Sequence, residues 1–161
     1  LGKELNIRIL VETGTCQGST LVALHKDFDK IYTVELAEVY HKQAVQRLRE
    51  GHNAWNIEFH LGDSRPYLRE LLQRIPRETP LLFWLDAHAS GALSADAGDP
   101  LGEEIDIITQ FHPEAVVVID DMQDAELRHI DSRITDGWLR EYRTGEIIMH
   151  RGGWVIPKFE D

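Results

Sequence analysis

Short apolar runs alternate along this chain with longer stretches whose apolar residues recur at spacing three or four. That alternation is the pattern of βα units that build a parallel sheet. The first run covers 7–11, and after a glycine-containing turn Leu21, Val22 and Leu24 resume at helical spacing. Residues 30–36 read as a second strand, ending in acid at Glu35. Between 38 and 50, Tyr40, Ala44 and Leu48 share a helical face, and Gly51 is a natural stop. Residues 57–63 alternate as a third strand. A helix over 65–75 then puts Leu68, Leu71, Leu72 and Ile75 on one face, and Pro76 and Pro80 close it.

The run 81–85 is continuously apolar, which predicts a central strand buried on both faces. It leads into Asp86-Ala-His-Ala-Ser-Gly91 and a Gly-, Ala- and Asp-rich loop reaching Pro100, expected to be mobile. Leu101, Ile105, Ile108 and Phe111 mark a further helix. The buried run 115–119 ends in Asp120-Asp121, and Leu127, Ile130 and Ile134 give a helical stripe up to Asp136-Gly137. Two last runs, 146–149 and 154–156, flank Arg151-Gly-Gly153 as a hairpin. The expected fold is α/β, three-layered and Rossmann-like, with a mainly parallel seven-stranded sheet and a C-terminal antiparallel strand.

The turn after the first strand, Val11-Glu-Thr-Gly-Thr-Cys-Gln-Gly-Ser-Thr20, organises the rest. Gly14 permits positive φ, and Gly18 is expected to let the backbone approach a ligand closely. The helix starting at Ser19 points unpaired N–H groups over the loop. The loop lacks the Lys-Ser/Thr of a P-loop, and its glycines are spaced G-x-x-x-G, not G-x-G-x-x-G. An acid at Glu12 argues against a bound pyrophosphate and suits a ligand with a cationic amino group. Glu12-Thr-Gly-Thr-Cys-Gln-Gly18 resembles the first motif of class I S-adenosylmethionine-dependent methyltransferases, and the order of strands extends the resemblance over nearly the whole chain. It implies a methyltransferase fold that binds S-adenosylmethionine through Glu12, Gly14, Thr15, Gly18, Ser19 and Thr20.

In an open parallel sheet, ligands bind beyond the carboxyl ends of the strands. The sequence places acids there: Glu12, Glu35, Asp63, Asp86 and Asp120. Glu35 lies 21 residues after Gly14, an offset at which a carboxylate accepts ribose hydroxyls. The alternative is a surface acid ahead of the next helix. Asp63 matches the family position that binds the exocyclic amine of adenine, and either Asp63 or Ser64 also suits a helix N-cap. Asp86, Asp120 and Asp121 resemble the acids of metal-dependent small-molecule and sugar O-methyltransferases. That likeness implies Mg²⁺ or a similar ion, with Asp86 serving both cofactor and metal. His88 is the candidate general base or a nitrogen ligand, against a merely solvated loop histidine. Plain helix-capping and loop roles stay open for all three acids.

Other residues carry less. Cys16 reads as a small loop residue and Trp84 as core, while Trp138 and Trp154 either pack or wall a substrate. No G-x-S-x-G elbow supports hydrolase chemistry. The implied activity is methyl transfer to a small-molecule oxygen such as a sugar hydroxyl. A non-catalytic S-adenosylmethionine-binding domain is the first alternative. A nucleotide-cofactor oxidoreductase is the second, disfavoured by the glycine spacing and the lack of Tyr-x-x-x-Lys.

Composition narrows the partners. The 161 residues suit one domain spanning 1–161. A net charge of −11 disfavours a nucleic-acid surface. No run is of membrane-spanning length and no signal peptide opens the chain, so a cytoplasmic location is expected. The chain opens on Leu1 instead of Met, which leaves room for residues upstream. It is also near the minimum length for the fold, so a substrate lid is expected either from a second subunit of a homodimer or not at all.

Overall fold

The computed structural model describes residues 2–3, 5–87, 100–120, 138–143 and 146–151. Their strands are β1 (Ile9–Thr13), β2 (Lys30–Glu35), β3 (Ile57–Leu61), β4 (Leu81–Leu85), β5 (Val116–Ile119), β6 (Trp138–Arg143) and β7 (Glu146–Arg151). They form one sheet in the order β3-β2-β1-β4-β5-β7-β6. The first five are mutually parallel, β7 runs antiparallel to β5, and β6 runs antiparallel to β7. The helices are α1 (Ser19–Leu24), α2 (Glu38–Gln46), α3 (Ser64–Arg74) and α4 (Leu101–Phe111). A π-helical turn, Arg47–Gly51, continues α2.

Period-two alternation divides the core between the two faces of the sheet. Leu10, Ile31, Leu82, Val116 and Val118 pack with Leu21 of α1 and Leu48 of the π turn. Val11, Val34, Phe83, Leu85, Val117 and Ile119 pack with Leu68, Leu71 and Leu72 of α3 and Leu101, Ile105 and Ile108 of α4. The result is the expected three-layer α/β arrangement. Phe83 is fully buried in the second cluster, where a side chain of its size stabilises by about 1.5–3 kcal/mol. The apolar stripe of α4 carries one charged residue inward: Glu104 is fully buried.

Boundaries differ from the sequence reading where polar residues continue a strand. β1 begins two residues later than the apolar run and extends through Glu12 and Thr13. The C-terminal hairpin is shifted: β7 pairs with β6, from Trp138↔Arg151 to Arg143↔Glu146. Arg151 therefore lies in a strand, not beside the turn, and only Thr144 and Gly145 separate the paired ends. β6 reads WLREYR, whose charges suit an edge strand and hide it from an apolar-run search. The stripe Leu127–Ile130–Ile134, the run 154–156, Trp154 and the loop 88–99 lie outside the described residues.

Candidate active site at the carboxyl edge of the sheet

The acids are brought to one edge, as expected, but they do different things there. Glu12 is the penultimate residue of β1 and only 1% exposed, so it does not stand at the mouth of the loop. It shares a sheet face with Thr33, whose hydroxyl donates to Glu12 Oε2 at 2.6 Å. Thr33 Oγ1 in turn lies 2.5 Å from Thr15 Oγ1. With the Thr33 proton committed to Glu12, Thr15 is the donor to Thr33, and a chain of hydroxyls runs from the loop down to the buried acid. Burial pushes the Glu12 carboxyl up to about 8; the Thr33 hydrogen bond works against this, and Asp86 and Glu35 add to it.

Glu35, the last residue of β2, holds the loop itself. Its Oε2 accepts the Cys16 N–H and its Oε1 accepts the Ala37 N–H, both at 2.7 Å. Each oxygen retains acceptor capacity for a ligand hydroxyl. Glu35 is 8% exposed, so its edge reaches the surface. The Gly62 N–H donates to the Glu35 carbonyl and brings the end of β3 alongside. Leu36 and Leu61, both large and exposed, follow Glu35 and end β3. The sequence reading singled out neither residue. Their signal was position, directly after a strand-end acid and at the last residue of a strand.

The two glycines of the loop also have duties within the chain. Gly14 has φ 82°, and a Cβ there would stand 2.5 Å from the Asp86 carbonyl oxygen. Its close approach is thus to the chain after β4. Gly18 also has positive φ, 74°, but its face is turned to α2. A Cβ would meet Leu48 Cδ1 at 2.9 Å and Ala44 Cβ at 3.4 Å. The absence of a Cβ at Gly18 thus makes room for the π turn. Ser19 opens α1 and accepts from Arg47 at 3.1 Å. Thr20 follows it in the first turn, half-buried.

Asp63 is the N-cap of α3, accepting the Arg65 N–H at 2.9 Å. Its carboxylate also forks onto the Arg65 guanidinium, which holds it below the usual carboxylate range. Ser64 is the buried first residue of α3. Asp86 and Asp120 directly follow Leu85 and Ile119, which are register partners in β4 and β5. The Asp120 N–H donates to the Leu85 carbonyl and the Asp86 N–H to the Thr13 carbonyl, so the ladder continues one step past each strand. The two aspartates thus follow the ends of adjacent strands. Asp121 and His88 lie outside the described residues. Among the described residues no three or more His, Cys, Asp or Glu gather as a metal site.

On the opposite face, the Thr13 hydroxyl donates to Glu104 Oε2 at 3.2 Å. A second carboxylate thus reaches the end of β1 from α4. Glu104 lies three residues after Leu101 and one before Ile105, within the apolar stripe, and that spacing was the signal the sequence offered.

A parallel sheet with this strand order, an acid and glycine turn after β1 and an acid closing β2 have the class I S-adenosylmethionine-dependent methyltransferase fold. Solved structures carry that fold closely. The O-methyltransferase TomG of Streptomyces achromogenes, involved in tomaymycin synthesis and solved with S-adenosylmethionine, superposes with a TM-score of 0.67 at 20% identity, covering 94% of this chain and 76% of that one. The O-methyltransferase of Bacillus cereus, solved with S-adenosylhomocysteine, gives 0.71 at 13% identity over 93% and 76%. An rRNA methylase from Streptococcus thermophilus gives 0.60 at 14% identity over 92% and 90%. At such identities the likeness is one of fold. No protein-family model and no curated protein matches the chain.

Proposed function

We propose that this protein is an S-adenosylmethionine-dependent methyltransferase acting on a small-molecule oxygen such as a sugar hydroxyl, with help from a divalent ion. The observation that carries the reading is Glu35: a strand-end carboxylate whose two oxygens are pinned by the Cys16 and Ala37 N–H groups. Pinned in this way, it presents fixed acceptors to a pair of vicinal hydroxyls without rotamer loss. The exposed Leu36 and Leu61 offer an apolar face for a flat base beside it. TomG and the Bacillus cereus enzyme, solved with this cofactor or its product, support the same assignment by their names.

When bound, S-adenosylmethionine supplies a methyl group on a positively charged sulfur. The chain's residues supply the field and the positioning. Glu12, reached from the loop through Thr33 and Thr15, gives negative character beneath the site once it ionises. Asp63 lies beside the base end, held by Arg65. At the other end, Asp86 and Asp120 follow register partners of β4 and β5, and with Asp121 they would offer the hard oxygen donors that Mg²⁺ takes. Such an ion, if held there, would supply Lewis acidity that eases loss of the acceptor's proton. His88 is the proposed recipient of that proton.

Two experiments test this. S-adenosylhomocysteine should raise the thermal midpoint, whereas NADH and NADPH should not; the reverse result selects the oxidoreductase. Transfer of a labelled methyl group to a panel of sugars should then fall on adding EDTA and return with Mg²⁺. Cofactor binding with no transfer to any acceptor selects the non-catalytic binding domain.

A further inference from the structure

The loop after β1 is tied on two flanks, and the outer tie comes from a residue the proposed reaction does not use. Along its inner flank, the Gly14 and Thr15 N–H groups both donate to the Val34 carbonyl and the Cys16 N–H donates to Glu35. Those bonds to β2 end at Cys16. Beyond it the chain is held from the π turn: Arg47 Nη1 donates to the Gln17 carbonyl at 3.2 Å and to Ser19 Oγ at 3.1 Å. The next residue, Leu48, fills the space under Gly18. Consecutive residues of one turn therefore grip the loop, one by shape and the other by charge-assisted hydrogen bonds.

The loop needs such a grip. Gly14, Cys16 and Gly18 have φ of 82°, 47° and 74°. Cys16 is not glycine, so it occupies the left-handed region at a cost that surrounding contacts must offset. A π turn in place of an ordinary helical turn shifts the register of α2 just where these contacts are made. We propose that Arg47 is a positioning residue for the cofactor loop. It fixes residues 17–19 in the conformation that receives the methyl donor, without touching the donor. This rests on the methyltransferase reading above.

A solvent-open hollow of about 650 Å³, lined by Gln17, Gln43, Gln46, Arg47, Glu50 and Gly51, lies beside the guanidinium. Free guanidinium can therefore enter the space left by a truncated side chain, and this shapes the test. Calorimetric binding of S-adenosylhomocysteine is compared for wild type, Arg47→Ala and Arg47→Lys, with thermal midpoints measured alongside. Loss of two surface hydrogen bonds from the charged group should weaken binding about tenfold in Arg47→Ala, with little change in midpoint. Arg47→Lys should fall between the two, and millimolar guanidinium should recover part of the Arg47→Ala loss. Binding within twofold of wild type in Arg47→Ala overturns the inference alone, as does a loss that neither lysine nor guanidinium relieves. A wild-type protein that binds no S-adenosylhomocysteine overturns the methyltransferase reading and this inference together.

Discussion

At the ends of β1 and β2 Glu12 and Glu35 are buried, whereas after β4 and β5 Asp86 and Asp120 sit half-buried. In the first region each polar group answers another: Thr15, Thr33 and Glu12 form one chain, and Glu35 takes the N–H groups of Cys16 and Ala37. In the second, the backbone steps Asp86 to Thr13 and Asp120 to Leu85 fix where the acids begin. A site that always meets the same cofactor gains from being built in advance. A site that must admit varied acceptors is left to loops. On this account the first region sets affinity and the second sets chemistry.

The comparison is broken most severely at the point where the regions touch. Gly14→Ala places a methyl group 2.5 Å from the Asp86 carbonyl at a φ of 82°, and should cost on the order of 3–4 kcal/mol of stability. Urea unfolding measures it. Gly51→Ala is the control, since a Cβ there meets nothing within 4 Å. Glu35→Ala comes next: it removes the acceptors and releases two N–H groups, and should weaken S-adenosylhomocysteine binding roughly 100-fold by calorimetry.

Glu12→Gln sharpens the comparison through pH. The Glu12 carboxyl titrates near 8 in the folded chain against 4.5 as a free group, because of its burial. The folded state therefore keeps a proton that the unfolded chain releases, and stability from this position falls as pH rises through that window. The variant should match wild type at pH 4 and exceed it at pH 9 by a few kcal/mol, with about 5 kcal/mol as the ceiling set by the shift. Unfolding curves at the two pH values measure the difference, and an equal offset at both would contradict the assignment. The smallest effect on cofactor binding is expected at Asp120→Ala. Affinity should stay within about twofold of wild type, while the Mg²⁺ heat and EDTA-sensitive transfer are lost.

Much of this was legible because most of the strands announce themselves by an apolar run. β4 is found residue for residue, and α4 follows from Leu101, Ile105, Ile108 and Phe111. Glu35 was legible from its offset and strand end. Less so was Glu12, because nothing in one dimension says that Thr33 shares its face; that depends on the register Glu12↔Thr33. The packing of Gly18 was hidden for a related reason. Its neighbours Ala44 and Leu48 come from a helix 26 and 30 residues on. β6 was hidden by its own charges, since Trp138, Leu139 and Tyr142 are interleaved with Arg and Glu.

The central claim is that the carboxyl edge of β1 and β2 binds S-adenosylmethionine, and titration calorimetry with S-adenosylhomocysteine tests it most directly. The account predicts saturable one-to-one binding to wild type, weakened roughly 100-fold in Glu35→Ala and kept in Asp120→Ala. No heat with wild type, or binding that survives Glu35→Ala unchanged, would contradict it.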